Sequence, residues 1–104
     1  MNDASKEEAR LLSGPELELV AVTKPPAIEG QSVDALKSVA RRLREAHDRA
    51  KAIGTRQARE MRGKAEPRGA KLAKDNLGTV AKAQALRDAL DRVEAELGRR
   101  DAAP

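Results

Sequence analysis

The residues best suited to chemistry in this chain are cations near its middle. Arg59, Arg62, Lys64, Arg68, Lys71 and Lys74 follow one another every two to four residues. They lie in and beside the stretch EMRGKAEPRGAKLAKDN, Glu60 to Asn76, which also carries two glycines and a proline. Guanidinium and ammonium groups at this density suit phosphate oxygens. Displacing the counterions condensed on a nucleic-acid backbone would draw such a segment to it without any base being read. The competing reading is a solvated helix face. Arg41 with Glu45, Glu45 with Arg49, Arg44 with Asp48, and Arg56 with Glu60 all stand four residues apart. Each such pair contributes about 0.2–0.5 kcal/mol and needs no ligand. After that pairing the cationic surplus concentrates in the six residues named first.

Other chemistry is sparse. His47 is the only histidine and falls in an apolar stripe, where a locally hydrogen-bonded seam residue is expected; one imidazole per chain makes a poor metal site. Asp88, Asp91, Glu94 and Glu96 alternate with Arg87 and Arg92 and read as a solvated helix face. The absence of cysteine removes disulfides, thiol catalysis and cysteine-based zinc sites. Expected, therefore, is a non-enzymatic protein without metal, cofactor or small-molecule substrate. Phe, Tyr and Trp are also absent, so bases cannot stack on aromatic rings. Nucleic-acid binding would lean on the phosphate backbone, with base readout limited to Arg, Asn or Gln.

Two known motifs fail on their residues. An AT-hook has an Arg-Gly-Arg-Pro core, whereas here Lys64 follows Gly63, and Ala65 and Glu66 precede Pro67. A ribbon–helix–helix regulator has a strand followed by two helices, an order that ELELVAVT and the two later helical patterns share. The linker Lys24–Ser32 is too long for it, the first long helix is about twice too long, and Glu16 and Glu18 would face phosphates badly.

The elements that must position the cations are legible as periodicities. Ser5 and Glu8 have capping-box spacing for a short first helix, which Gly14 and Pro15 would stop. Glu16 to Thr23 alternates Glu-Leu-Glu-Leu and then turns β-branched, predicting one short strand. Pro25, Pro26 and Gly30 mark a linker. From Ser32, a plausible N-cap, Val33, Leu36, Val39, Ala40, Leu43, Ala46, Ala50, Ile53, Ala58 and Met61 fall on one stripe. This predicts an amphipathic helix to about Arg62, ~45 Å long at 1.5 Å per residue, with Gly54 its weak point. Gly63, Pro67 and Gly69 interrupt it. A second helix is expected from an Asn76 or Thr79 cap to Gly98, with Ala83, Leu86, Leu90, Val93 and Leu97 as a narrow seam.

The predicted fold is all-α. Residues 33–98 form an antiparallel, coiled-coil-like two-helix hairpin, residues 1–32 an irregular acidic arm with one short helix and one short strand, and residues 99–104 a tail. Its interface is assigned to Leu36, Val39, Leu43, Ile53, Leu86, Leu90, Val93 and Leu97. The second helix, being shorter, would leave part of the first stripe uncovered, which favours self-association. Leu, Ile and Val supply only 19 residues while Ala supplies 20, so seams are shallow and a monomer would be marginal.

Charge is segregated. Residues 1–36 carry three cations and seven anions, residues 37–74 thirteen and four, residues 75–104 five and six. The acidic arm could fold onto the basic middle and compete with nucleic acid. No apolar run approaches the ~20 residues of a membrane span, and the polar N-terminus lacks a leader's apolar core, so a cytoplasmic location off the membrane is expected. The function expected is that of an accessory factor contacting nucleic acid through Arg59, Arg62, Lys64, Arg68, Lys71 and Lys74. The alternative is a protein–protein adaptor or assembly factor acting through the helical seam and the LELVAV segment.

Overall fold

The computed structural model describes residues 3–62 and 68–102, and these are almost entirely helical. The order is α1 (Asp3–Leu11), α2 (Gly14–Ala21), a 3-10 turn (Ala27–Gly30), α3 (Val33–Arg62) and α4 (Arg68–Ala102). Helices α3 and α4 form the expected antiparallel pair. The direction follows from three cross-links: Gln31 with Arg100, Arg44 with Glu94, and Gly54 with Asn76. The molecule measures 59 × 28 × 19 Å with a radius of gyration of 16.2 Å. A compact chain of this length would have about 13 Å, so the hairpin sets an elongated shape.

α3 starts where the sequence places it. The Ser32 hydroxyl accepts from the Ala35 amide at 3.0 Å, satisfying one of the open donors of the first turn. Its buried positions, Leu36, Ala40, Leu43, Ala46, Ala50 and Gly54, repeat at helical spacing against α4. Leu86, Ala89, Leu90 and Val93 answer from the other side. Of the eight residues assigned to the interface, Leu36, Leu43, Leu86, Leu90 and Val93 are buried, and Val39 and Leu97 pack at the margin. Ile53 departs from the assignment, standing 38% exposed.

The predicted strand is a helix. Among the described residues there is no strand, and ELELVA forms most of α2. Its start is a capping box one helix later than expected: the Glu16 amide donates to Ser13 Oγ at 3.3 Å and the Ser13 amide to Glu16 Oε1 at 2.8 Å. Pro15 opens this helix more than it stops the last, because a first-turn residue needs no amide proton. α1 already includes Ser5, so that residue does not precede a helix start. A solitary strand would have left its backbone groups without a ladder. The helix satisfies them internally while still burying Val20 and half-burying Leu17 and Leu19.

The arm is therefore ordered and packed, with Leu12, Val20 and Ile28 inside the same core as the hairpin seam. Two arginines of α4 fasten it. Arg92 donates through Nε and Nη2 to Thr23 Oγ1 at 3.1 and 3.0 Å, and the fully buried Thr23 hydroxyl donates onward to the Val20 carbonyl at 2.6 Å. Arg100 donates to the carbonyls of Gln31 at 2.5 Å and Ile28 at 3.1 Å, which close the 3-10 turn.

α4 corrects the sequence reading most. It spans 35 residues, runs through Gly78 and Gly98, and is longer than α3. Asn76 does not cap it. Its side chain donates to the Gly54 carbonyl across the pair at 2.9 Å, while Thr79 Oγ1 bonds back to Asp75. Gly98 does not end it, because the next turn carries Arg100, held by the linker carbonyls. Arg99–Ala102 consequently belong to α4 and not to a tail. α4 covers most of the α3 stripe, and among the described residues the large apolar side chains left outside are Val33 and Ile53 of that stripe and Leu77 and Val80 of α4.

Gly54 is buried against α4, yet a Cβ there would meet Thr79 Cγ2 at 3.5 Å and Asn76 Nδ2 at 3.9 Å, ordinary contact distances. Gly54→Ala is expected to raise stability by about 0.5–1 kcal/mol, because a helical glycine loses more backbone entropy on folding than alanine. Thermal unfolding followed by circular dichroism reads the change. Thr23→Val is expected to cost about 1–3 kcal/mol by stranding the Arg92 donors. It should also open the arm to limited proteolysis before the hairpin.

Candidate nucleic-acid interface

The cationic residues gather at the turn end of the hairpin. Measured from the Gly54–Asn76 contact, Arg59 and Lys71 each lie five residues further along their helices, about 8 Å by helical rise. Arg56 and Lys74 each lie two residues along, and the last residue of α3, Arg62, stands level with the first of α4, Arg68. Arg56, Arg59, Arg62, Lys71 and Lys74 are exposed. Lys64 lies outside the described residues, and for Arg68 the structure gives the backbone position only. The antiparallel topology thus brings two separated runs of sequence onto one tip. At that tip the negative end of α3 meets the positive end of α4. Their dipoles largely cancel, leaving side-chain charge to set the field.

Across Arg49–Lys74 the sequence holds nine cations and only Glu60 and Glu66 as anions. Among the described residues none of those cations has a carboxylate within ion-pair distance. The expected i, i+4 pairs do not close. Arg44 instead reaches across the hairpin to Glu94 at 3.3 Å. Toward the other end most cations have structural employment. Lys24 holds Glu8 at 2.5 Å, Lys82 holds Glu16 at 3.0 Å, Arg87 holds Asp91 at 3.1 Å, and Arg99 and Arg100 both hold Glu96. Lys37, Arg41 and Arg42 on the first half of α3 remain exposed without such a partner. The arm's Glu8 and Glu16 are engaged with Lys24 and Lys82, so they do not lie on the tip.

Glu96 differs from the solvated carboxylate the alternation predicts: it is buried under Arg99 and Arg100. The Arg100 hydrogen bond first, then that of Arg99, holds its carboxyl below the usual glutamate range. For Glu16 burial pushes the other way. It is outweighed by the hydrogen bonds from the Ser13 amide and Lys82, so this pKa is also lowered. Asp88, Asp91 and Glu94 are exposed as expected. His47 is half-buried with Nδ1 at 3.3 Å from Asp48 Oδ1. Among the described residues no group of three or more His, Asp or Glu is placed to hold a metal, and no helix is long and apolar enough to cross a membrane.

Sequence reasoning missed Thr23, Arg92 and Arg100, whose roles depend on elements far apart in the chain. It also missed a groove on the hairpin face containing Ala50, Gly54, Val80 and Ala83. A signal for the groove was present. Extending the seam back from Ala83 leads to Thr79, Asn76 and Leu72, so Leu77 and Val80 are large apolar residues out of register with it. Comparison with protein-family models, curated proteins and solved structures gave no match.

Both lowered glutamates bind protons more readily unfolded than folded. Their contribution is complete above the ordinary glutamate pKa of about 4.3 and is lost as pH falls through the lower folded values. Thermal stability is expected to hold from pH 7 to about pH 5 and to drop below it. The double variant Glu16→Gln, Glu96→Gln should show a shallower drop in a melting series across that range.

Proposed function

We propose that this protein is a non-enzymatic accessory factor that contacts the phosphate backbone of nucleic acid with the tip of its helical hairpin. The reading rests on one observation: the antiparallel return brings exposed Arg56, Arg59, Arg62, Lys71 and Lys74 together at one end of an elongated molecule without described carboxylate partners, while toward the other end Lys24, Lys82, Arg87, Arg99 and Arg100 hold carboxylates. Unneutralised charge at a protruding end raises the local concentration of a polyanion and speeds its capture. Arg59, Arg62, Lys71 and Lys74 carry the contact on this reading, with Lys64 and Arg68 between them in sequence. With no aromatic side chain to stack on bases, the binding is to backbone and tolerant of sequence.

The adaptor reading loses the surface first assigned to it. Leu36, Leu43, Leu86, Leu90 and Val93 face one another within the chain, and Val20 of the LELVAV segment is buried with them.

Binding of a random-sequence DNA duplex, followed by fluorescence anisotropy at 50 and 200 mM salt, tests the proposal. Four phosphate contacts imply a log–log slope of about −3.6, a loss of about 150-fold between the two conditions. The quadruple reversal of Arg59, Arg62, Lys71 and Lys74 to Glu should abolish binding with helicity retained. Affinity that ignores salt, or survives the reversal, defeats this reading.

A further inference from the structure

The two faces of the hairpin are treated differently by the rest of the chain. One carries the arm, through α1 against α4 and α2 against α3. The other has no covering element among the described residues. Near the chain's base this open face is polar and is bridged by Arg44 and Glu94. Beyond His47 it becomes an apolar groove of about 360 Å³ between the helices. Ala50, Gly54 and Ala58 of α3 and Val80 and Ala83 of α4 line it. Val80 is 55% exposed, and Leu77, one turn away on the same helix, is 71% exposed. Neither contributes to the core, so the groove is floored by small residues and lined by Val80, with Leu77 exposed beside it on α4.

We infer that this groove is a docking site for an acidic amphipathic helix of a partner protein. Its lining runs from His47 to Ala58 on α3, about 16 Å or three helical turns. Small residues along the floor let a third helix axis approach closely, with anchors spaced i, i+3, i+4 and i+7 resting against Val80 and Leu77. Charge selects the occupant. Lys51 is the only charged residue lining the groove, and no carboxylate does. Arg59 and Arg62 follow Thr55 and Ala58 by one turn and continue the same face toward the tip. A partner helix with Leu on one side and Glu on its flanks meets apolar wall and cationic rim together. A second copy of this chain would set Lys51 against Lys51 and bring further cations with it, which disfavours that occupant. The assignment does not depend on the nucleic-acid reading, since it turns on apolar side chains that phosphate does not need.

The probe is a labelled 18-residue helical peptide with Leu at a and d positions and Glu elsewhere, titrated with the full chain. A composition-matched scrambled peptide and a Leu/Lys counterpart serve as controls. The amphipathic acidic peptide is expected to bind at least ten-fold more tightly than either control. Val80→Glu and Leu77→Glu should each weaken it at least ten-fold with helicity unchanged, whereas Val33→Glu, exposed but off the groove, should not. Because Val80→Glu leaves Lys51, Arg59 and Arg62 in place, loss of peptide with duplex binding retained separates this inference from the tip proposal. Equal binding of the scrambled peptide, no binding, or indifference to Val80→Glu overturns it. So does a concentration-dependent dimer that Val80→Glu abolishes, which would assign the groove to a second copy.

Discussion

The whole structure depends on removing a thin line of leucine and valine from water between two long helices. Leu36 and Leu43 on α3 meet Leu86, Leu90 and Val93 on α4, all of them essentially inaccessible. With no aromatic side chain available, burial of such aliphatic side chains has to supply the driving force, at roughly 25 cal/mol per Å² of apolar surface. Alanines at positions 40, 46, 50 and 89 fill the gaps and let the axes approach. Such a seam is continuous along the rods but only one side chain deep. It fixes direction and register, and it produces a long, narrow molecule.

A seam that shallow needs closing at its base, and the arm closes it. Leu12, Val20 and Ile28 extend the core by one layer, and Arg92 and Arg100 hold the arm in place by donating to the Thr23 hydroxyl and to the Ile28 and Gln31 carbonyls. These contacts differ from surface ion pairs, which contribute about 0–1 kcal/mol each. Removing an acceptor such as Thr23 Oγ1 leaves a guanidinium donor unsatisfied, so the cost is one of desolvation. The base of the molecule thereby uses Arg92 and Arg100 to hold its own elements together.

The distal half carries less of that layer: the end of α1 lies beside Gln57, Lys74 and Asp75. Arg59, Arg62 and Lys71 stand beyond the Gly54–Asn76 contact, and the out-of-register Leu77 and Val80 just before it. The same antiparallel return that makes the seam also brings Arg59 to the level of Lys71, so cations of two helices stand together at that end.

The sequence by itself determined α3, its Ser32 cap, the seam positions and the basic character of the middle. Each of these follows from local spacing: a 3.6-residue apolar repeat, a hydroxyl before a helix start, a run of Arg and Lys. What it left open were cases in which two local rules conflict or a distant residue decides. Glu-Leu-Glu-Leu fits a strand or a helix. Absence of a pairing strand and the Ser13–Glu16 cap settle it as α2. Gly78 and Gly98 weaken a helix locally, yet packing along α3 and the anchoring of Arg100 carry α4 through both. Ile53 shares the stripe's period but lies outside the part of it that α4 covers. Only the tertiary structure could set the end points of α4, the burial of the arm and the open groove, because each depends on which surfaces meet after the chain has turned back on itself.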